Sequence, residues 1–450
     1  MTDHSPMKPY ESLRSGPLQG RVRVPGDKSI SHRALIFGAL ATGQTRITGL
    51  LEAGDVLGTA EILRVLGASI LRRADGSWHV HGRGVGGLTQ PAADLDFGNS
   101  GTGTRLMLGV LAGHALTARL TGDASLSRRP MGRVLKPLKQ MGLEVLEGDK
   151  ATLPITVRGR ARPIPMTYTL DVPSAQVKSA ILIAGLHAPG ETTVIEHEAT
   201  RDHSERMLTH FGADIRVIET RDGRAITVKG DAELKGRDVV VPADPSSAAF
   251  LIAAGAMVPG SDITVEGVLT NPTRTGFYVT LKEMGADISF LNERVEGGEP
   301  IADIRVRASH LHGVRVPPER APSMIDEYPV LAVLASMAIG TTRMEGLSEL
   351  RTKESDRLAA TAAGLTANGV VALVEGDTLE VEGRTGVAGG GLVATHLDHR
   401  MAMAFLVLGL VAQRPVTIDD ISMVSTSFPQ FVSLMSNLGA SMRPATGLSV

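Results

Sequence analysis

Cations gather in this chain where polar loops lead into apolar helices. Lys28 and Arg33 stand in PGDKSISHR, Arg105 in FGNSGTGTR, Lys178 in VPSAQVKSA and Arg400 in THLDHRMAM. A second family of loops carries Arg128 and Arg129 (SLSRRPMGR), Arg201 (ATRDHSE), Arg274 (NPTRTG) and the run Arg351, Lys353 and Arg357 in RTKESDR. Helix N-termini leave backbone N–H groups unpaired and hold the positive end of the helix dipole, so loops of this kind favour anions. Each cation within about 4 Å of a ligand oxygen adds roughly 4 kcal/mol of gross attraction at an effective dielectric near 20, before desolvation. Arginine further matches phosphate and carboxylate two bonds at a time. The expected ligands are small molecules with several phosphates and carboxylates. Asp326 and Glu327 in SMIDEYP and Glu354 in KESDR would weaken such binding if charge were their only role. They are read as general acid and base groups beside the anion site, Asp326 foremost, and Glu354 is equally suited to orienting an arginine.

The elements that must position these residues repeat. The octet LRVLGASI from Leu63 returns as LKQMGLEV (Leu138), LTHFGADI (Leu208), LKEMGADI (Leu281), LTANGVVA (Leu365) and MSNLGASM (Met435). Its glycines, Gly67, Gly142, Gly212, Gly285, Gly369 and Gly439, are 75, 70, 73, 84 and 70 positions apart. Each octet reads as a last helical turn, a left-handed glycine cap and the start of a strand. Upstream lie a short β-like run, a polar loop (VPADPSSAA and VPPERAPSMIDE complete the set of six), an apolar helix, and a strand such as Gln44 to Leu50 or Glu191 to Glu196. The unit is strand, helix, strand, helix and a terminal strand pair.

Length and composition bound the function. A chain of 450 residues with 42% apolar residues implies two or more domains with sizeable cores. Aromatics at 3%, with 51 glycines and 24 prolines, predict packing by small aliphatic side chains at short backbone distances. A formal charge of −2 and few aromatics argue against a nucleic-acid or anionic-membrane partner. Without cysteine, disulfides, thiolate metal sites and a cysteine nucleophile are excluded. The longest apolar stretch, Met401 to Ala412, is too short to span a bilayer. The leader MTDHSPMKPYESLRSG is polar, has no apolar segment and reads as a frayed start, not a signal. GRGVGG from Gly82 does not lead into a helix, PGDKS lacks P-loop spacing, and HLDH has no nearby third metal ligand. His399 is expected to be a hydrogen-bonding neighbour of the anion site.

Together PGDKSISHRA, GNSGTGTRL, LSRRPMG, SAQVKSA, TRDHSE, NPTRTG, SMIDEYPVLA, RTKESDRL and LDHRMAM resemble the 5-enolpyruvylshikimate-3-phosphate (EPSP) synthase family, from about residue 18 to the last octet. SAQ, TRDH and KESDR are similar to its second, bacterial class. The resemblance implies the α/β enolpyruvyl transferase fold, an inside-out α/β barrel with two globular domains of three βαβαββ repeats each and an active site in the interdomain cleft. It places residues 1–26 and 244–450 in one domain and 27–243 in the other. It implies transfer of the carboxyvinyl group of phosphoenolpyruvate to the 5-hydroxyl of shikimate 3-phosphate, with no metal and no organic cofactor, in a cytoplasmic monomer. Lys28, Asn99, Gly101, Arg129, Gln176, Arg357 and Arg400 would surround phosphoenolpyruvate. Lys28, Ser29, Arg33, Ser174, Ala175, Gln176, Arg201, Asp326 and Lys353 would hold shikimate 3-phosphate. Asp326, Glu354 and Lys28 would carry the proton transfers.

The same family is inhibited by glyphosate, and Gly101, lacking a methyl group, implies sensitivity. Three departures qualify the transfer: Ala175 where many relatives have serine, TRDH around Arg201, and Thr426 in place of a lysine. With cations on both faces of the cleft, shikimate 3-phosphate is expected to contract the molecule. Competing readings are enolpyruvyl transfer to UDP-N-acetylglucosamine, which usually relies on a loop cysteine, an RNA-end-processing or RNA-binding protein, and a non-catalytic phosphosugar-binding protein, which would gain by losing Asp326 and Glu354.

Overall fold

The computed structural model describes residues 7–221 and 223–445. Among these, twelve α-helices fall two to a repeat: α1 (Lys28–Leu40) and α2 (Gly54–Val65); α3 (Gly101–Ala112) and α4 (Gly132–Gln140); α5 (Ala175–Gly185) and α6 (His203–His210); α7 (Pro245–Met257) and α8 (Gly276–Glu283); α9 (Tyr328–Ala335) and α10 (Arg357–Ala367); α11 (His399–Gly409) and α12 (Phe431–Asn437).

Every second helix ends as the octets require. The six octet glycines all have positive φ, from +81° at Gly369 to +106° at Gly439. At each, the residue after the glycine donates its N–H to the carbonyl of the first octet residue, as in Ala68 to Leu63 (2.9 Å) and Ala440 to Met435 (2.9 Å). The glycine N–H closes the inner bond, as in Gly212 to Thr209 at 3.0 Å. These are Schellman closures, and an L side chain resists their φ. A strand follows in every case, beginning with Ser69, Glu144, Ile215, Asp287, Val371 or Ser441.

The chain divides into two compact units, one of residues 1–25, 242–295 and 300–450, the other of 26–241 and 296–299. In the second unit, α3 packs on α5 and α1; in the first, α7, α9 and α11 pack on one another. These leading helices are buried over most of their length because they lie inside. All thirteen residues of α7 and all eight of α9 are buried. Small residues permit the close approach: a Cβ added to Gly109 of α3 would lie 2.4 Å from the carbonyl oxygen of Ala180 in α5.

Each repeat adds one four-stranded sheet of fixed pattern. In the third repeat, Thr167–Thr169 runs parallel to Glu191–Glu196, which pairs antiparallel with Gly223–Lys229, itself antiparallel to Ile215–Thr220. Three repeats borrow a strand from elsewhere in the chain. Val239–Val240 supplies the parallel strand beside Gln44–Thr48 in the first repeat, and Gln19–Val22 the one beside Asp262–Leu269 in the fourth. The fourth and first repeats have thus exchanged leading strands, so the chain passes from one unit to the other just after each of them.

The third loan corrects the reading of the leader. Tyr10–Leu13 is an inner strand of the last sheet, antiparallel both to Val416–Ile418 and to Ser441–Pro444. It supplies the strand that the sixth repeat lacks after Ser441–Pro444. The remainder of the frayed-start expectation, residues 1–6, lies outside the described residues. Among the described residues, no helix is long and apolar enough to cross a membrane.

Candidate active site

In the first unit, Arg357 opens α10, whose N-terminus is capped by the Asp356 side chain accepting from the Ala359 N–H at 3.0 Å. The Arg357 guanidinium is 1% exposed and meets three carboxylates. Its Nε donates to Asp398 Oδ2 at 2.7 Å and its Nη2 to Asp398 Oδ1 at 3.2 Å. Nη1 donates to Asp326 Oδ1 at 3.2 Å and Nη2 to Glu354 Oε2 at 2.5 Å. Burial opposes its charge, but Asp398, Glu354 and Asp326 outweigh that cost and hold its pKa above the ordinary arginine value. Burial likewise opposes ionisation of Asp398. Arg357 overcomes it, and the carboxyl stands below the usual aspartate range.

Arg400 faces the same group: its Nε is 3.8 Å from Asp326 Oδ1, and its Nη1 donates to the Asp326 carbonyl at 3.4 Å. Asp326 and Glu354, read as acid and base, thus share one cluster with Arg357 and Arg400. Lys353 sits apart, its ammonium 2.5 Å from Glu349. Beside Asp326, the Glu327 carboxylate is buried and accepts from the Ser246 hydroxyl, which also receives Arg274 Nη2 at 2.9 Å. Burial, then the charge of Asp326, pushes the Glu327 carboxyl above the ordinary glutamate value. Arg274, 4% exposed, is therefore a structural cation and not a surface one.

In the second unit, α1 is capped by Asp27, which accepts from the Ile30 N–H, and it carries Lys28, Ser29 and Arg33. Lys28 Nζ lies 3.1 Å from Asp55 Oδ2. Arg33 is 3% exposed. It donates from Nε to Ser204 Oγ (2.7 Å), from Nη2 to Ser179 Oγ (2.9 Å) and from Nη1 to the Ser29 carbonyl (3.0 Å). Burial, with the nearby positive charge of Arg201, brings its pKa down to about 10 against the opposing pull of Glu205 and Asp27. Two candidate anion contacts, Arg33 and Arg201, are therefore neighbours.

In the loops before α3 and α4, Arg129 Nη2 donates to Asn99 Oδ1 at 2.6 Å and to Ser125 Oγ at 3.2 Å. Gly101, the first residue of α3, lies under two guanidinium groups. A Cβ there would come within 3.1 Å of Arg105 Nη1 and 3.3 Å of Arg129 Nη1. Gln176 is fixed from both sides, accepting from Arg105 Nη1 at 2.9 Å and donating to Thr102 Oγ1 at 3.0 Å. Ser174 caps α5, and Ala175 is its first residue.

Two expectations from the sequence need correction, and one residue was missed. Lys178 is wholly buried between Glu196 and Glu205, so it does not face a ligand. Side chains already fill the caps of five leading helices: Asp27, Ser100, Ser174, Asp244 and Asp398 accept the first N–H groups of α1, α3, α5, α7 and α11. The anion-receptive N–H groups are accordingly fewer than the loops alone suggest. Asp398, the carboxylate held most tightly by Arg357, was not singled out. Its place before the first turn of α11 signals a cap, but nothing local signals that its other oxygen reaches α10.

Paired guanidinium groups, buried carboxylates and no cysteine suit proton transfer on a small polyanion. The chain matches the profile of the family described as EPSP synthase (3-phosphoshikimate 1-carboxyvinyltransferase) over residues 13–435. It is 59% identical over 442 residues to the 3-phosphoshikimate 1-carboxyvinyltransferase of Cereibacter sphaeroides, covering 98% of this chain and 99% of that protein. The protein of the same name from Parvibaculum lavamentivorans is 61% identical over 429 residues, 95% of each chain. A solved structure of EPSP synthase from Acinetobacter baumannii superposes with a TM-score of 0.87 at 43% identity, covering 98% of this chain and all of that one. The chain belongs to the EPSP synthase family.

Proposed function

We propose that this protein transfers the carboxyvinyl group of phosphoenolpyruvate to the 5-hydroxyl of shikimate 3-phosphate, yielding EPSP and phosphate in the shikimate pathway of aromatic amino-acid biosynthesis. The observation that carries this reading is the Asp326–Arg357–Glu354 constellation, two carboxylates held by one buried guanidinium. Asp326 takes the proton of the 5-hydroxyl as its oxygen attacks C2 of phosphoenolpyruvate. The methylene carbon gains a proton, and a tetrahedral adduct forms. Loss of a proton from that carbon and departure of phosphate restore the vinyl ether. Glu354 gives the methylene carbon its proton and later takes one back, and Lys28 protonates or stabilises the departing phosphate. Positioning and electrostatic stabilisation supply most of the rate gain.

Shikimate 3-phosphate is assigned to Lys28, Ser29, Arg33, Ser174, Ala175, Gln176, Arg201, Asp326 and Lys353. Phosphoenolpyruvate is assigned to Lys28, Asn99, Gly101, Arg129, Gln176, Arg357 and Arg400. The neighbouring charges of Arg33 and Arg201 support the first assignment. The Arg129–Asn99 pair beside Gly101 supports the second. The two compact units are taken as the two globular domains of the fold, the enzyme as a cytoplasmic monomer, and glyphosate as its inhibitor. The test is phosphate release from phosphoenolpyruvate with either shikimate 3-phosphate or UDP-N-acetylglucosamine. Turnover only with the second acceptor, or with neither, overturns the reading.

A further inference from the structure

Behind the candidate phosphosugar contacts of the second unit lies a buried ionic array that the proposed reaction does not use. Lys178 Nζ, with no exposed side-chain surface, is 2.6 Å from Glu205 Oε1 and 3.0 Å from Glu196 Oε2. Both glutamates are buried. Glu196 also accepts from the Thr200 hydroxyl at 2.7 Å and from the Thr200 N–H at 3.3 Å. Glu205 faces the charge of Arg33, which donates to Ser204 and Ser179. Ser204 in turn donates to Ser179 at 2.7 Å.

The three members of the array belong to different elements. Lys178 is in the first turn of α5, one turn beyond the cap Ser174. Glu196 ends the strand Glu191–Glu196, and Glu205 is in the first turn of α6. Between Glu196 and Glu205 runs the loop that bears Arg201. Removing one partner from a buried set of charges leaves the others uncompensated, so the array permits one relative placement of these three elements. A long lysine at this position would otherwise be expected at the surface, because burial of its charge is costly without partners.

We infer that Lys178, Glu196 and Glu205 are positioning residues for the phosphosugar acceptor: they hold Ser174 and Gln176 on α5, Arg201 in its loop and Arg33 on α1 at fixed mutual distances. The inference rests on the assignment of those four residues to shikimate 3-phosphate. The donor phosphoenolpyruvate, assigned largely to other residues, depends on the array much less.

The experiment measures shikimate 3-phosphate affinity by calorimetry and both KM values by phosphate release, for the parent protein, Lys178→Met and Thr200→Val. Binding and turnover by the parent protein test the functional assignment separately. Given those, Lys178→Met should raise the Kd and KM for shikimate 3-phosphate at least tenfold, with kcat and the phosphoenolpyruvate KM changed less than threefold. Thr200→Val keeps the side-chain shape and removes one hydroxyl donor from Glu196; it should raise the same Kd about threefold. It decides the matter if Lys178→Met does not fold. Unchanged shikimate 3-phosphate affinity in a folded variant, or equal losses for both substrates, overturns the inference.

Discussion

Replacing Asp398 with asparagine tests the central claim about charge in the first unit. The carboxylate has no exposed surface and accepts two hydrogen bonds from Arg357, one from the Arg400 N–H at 2.9 Å and one from the Ser355 hydroxyl at 3.1 Å. Asparagine can still accept the Arg400 cap bond through its amide oxygen, but its NH2 group stands where Oδ2 accepts from Arg357 Nε and Ser355, so the variant removes the charge together with the Arg357 Nε bond. Gross attraction between two unit charges about 4 Å apart is roughly 4 kcal/mol at an effective dielectric near 20. Breaking a buried pair outright costs about 3–5 kcal/mol. Here Arg357 keeps Asp326 and Glu354, and one buried anion fewer has to be desolvated. The expected loss is therefore about 2–3 kcal/mol, or a fall of roughly 4–12 °C in the melting of this unit, taking about 2–4 °C per kcal/mol.

The pH dependence has a definite sign. Asp398 has its folded pKa held below the unfolded value of about 3.9, so its contribution is fully present above that pH and is lost as pH falls through the folded pKa. Denaturant melts of parent and Asp398→Asn proteins between pH 7 and pH 3 should differ most at neutral pH and converge below about pH 4. A gap under about 1 kcal/mol at pH 7, or one that widens on acidification, would refute the charge argument.

Asp326→Ala should lower the rate of phosphate release by about 10²- to 10⁴-fold without a comparable loss of folding, and a rate within tenfold of the parent removes Asp326 from the role of base. Gly101→Ala places a methyl group 3.1 Å from Arg105 Nη1 and 3.3 Å from Arg129 Nη1, so glyphosate inhibition should weaken more than phosphoenolpyruvate KM rises; equal changes dispose of the steric explanation. Gly212 has φ +96° with nothing within 4 Å of an added Cβ, so Gly212→Ala should cost about 1–2 kcal/mol from the backbone alone. Gly142→Ala, at φ +102°, should cost about the same, since the Arg160 side chain 2.4 Å from its Cβ is exposed and can move aside; a neutral Gly212→Ala in thermal melts contradicts the cap assignment.

What the sequence made legible was local. A Schellman cap needs only a helical turn, a glycine and an apolar residue beyond it, so all six octets could be placed before any coordinates. Asp326, Glu354, Arg357 and Arg400 could be grouped because three of them lie in two short motifs and the fourth opens a repeat helix. The pairing of Tyr10–Leu13 with strands more than 400 residues away has no local signature. Nor has the loan of Val239–Val240 and Gln19–Val22 to distant repeats. Lys178 shows the same limit at the level of one side chain. Residue type and loop position suggested a ligand contact, and only the glutamates brought in by a strand end and another helix make its burial sustainable.

The caps sort the helices by what they can offer an anion. Asp27, Asp244 and Asp398 put a carboxylate on the positive ends of α1, α7 and α11, which largely cancels the dipole there. Ser100 and Ser174 cap α3 and α5 with neutral hydroxyls and leave that positive end uncompensated. Asn99 and Gly101 flank the first serine, and Ala175 and Gln176 follow the second. In these two places the backbone would add to the anion affinity proposed for those residues. After the acidic caps the attraction has to come from side chains: Lys28 and Arg33 follow the Asp27 cap, and Arg400 follows the Asp398 cap. Arg357, on an Asp356-capped helix, meets three carboxylates and holds Asp326 and Glu354 in place. The division follows from cap chemistry: a neutral cap leaves the dipole to the ligand, and an acidic cap requires a neighbouring cation.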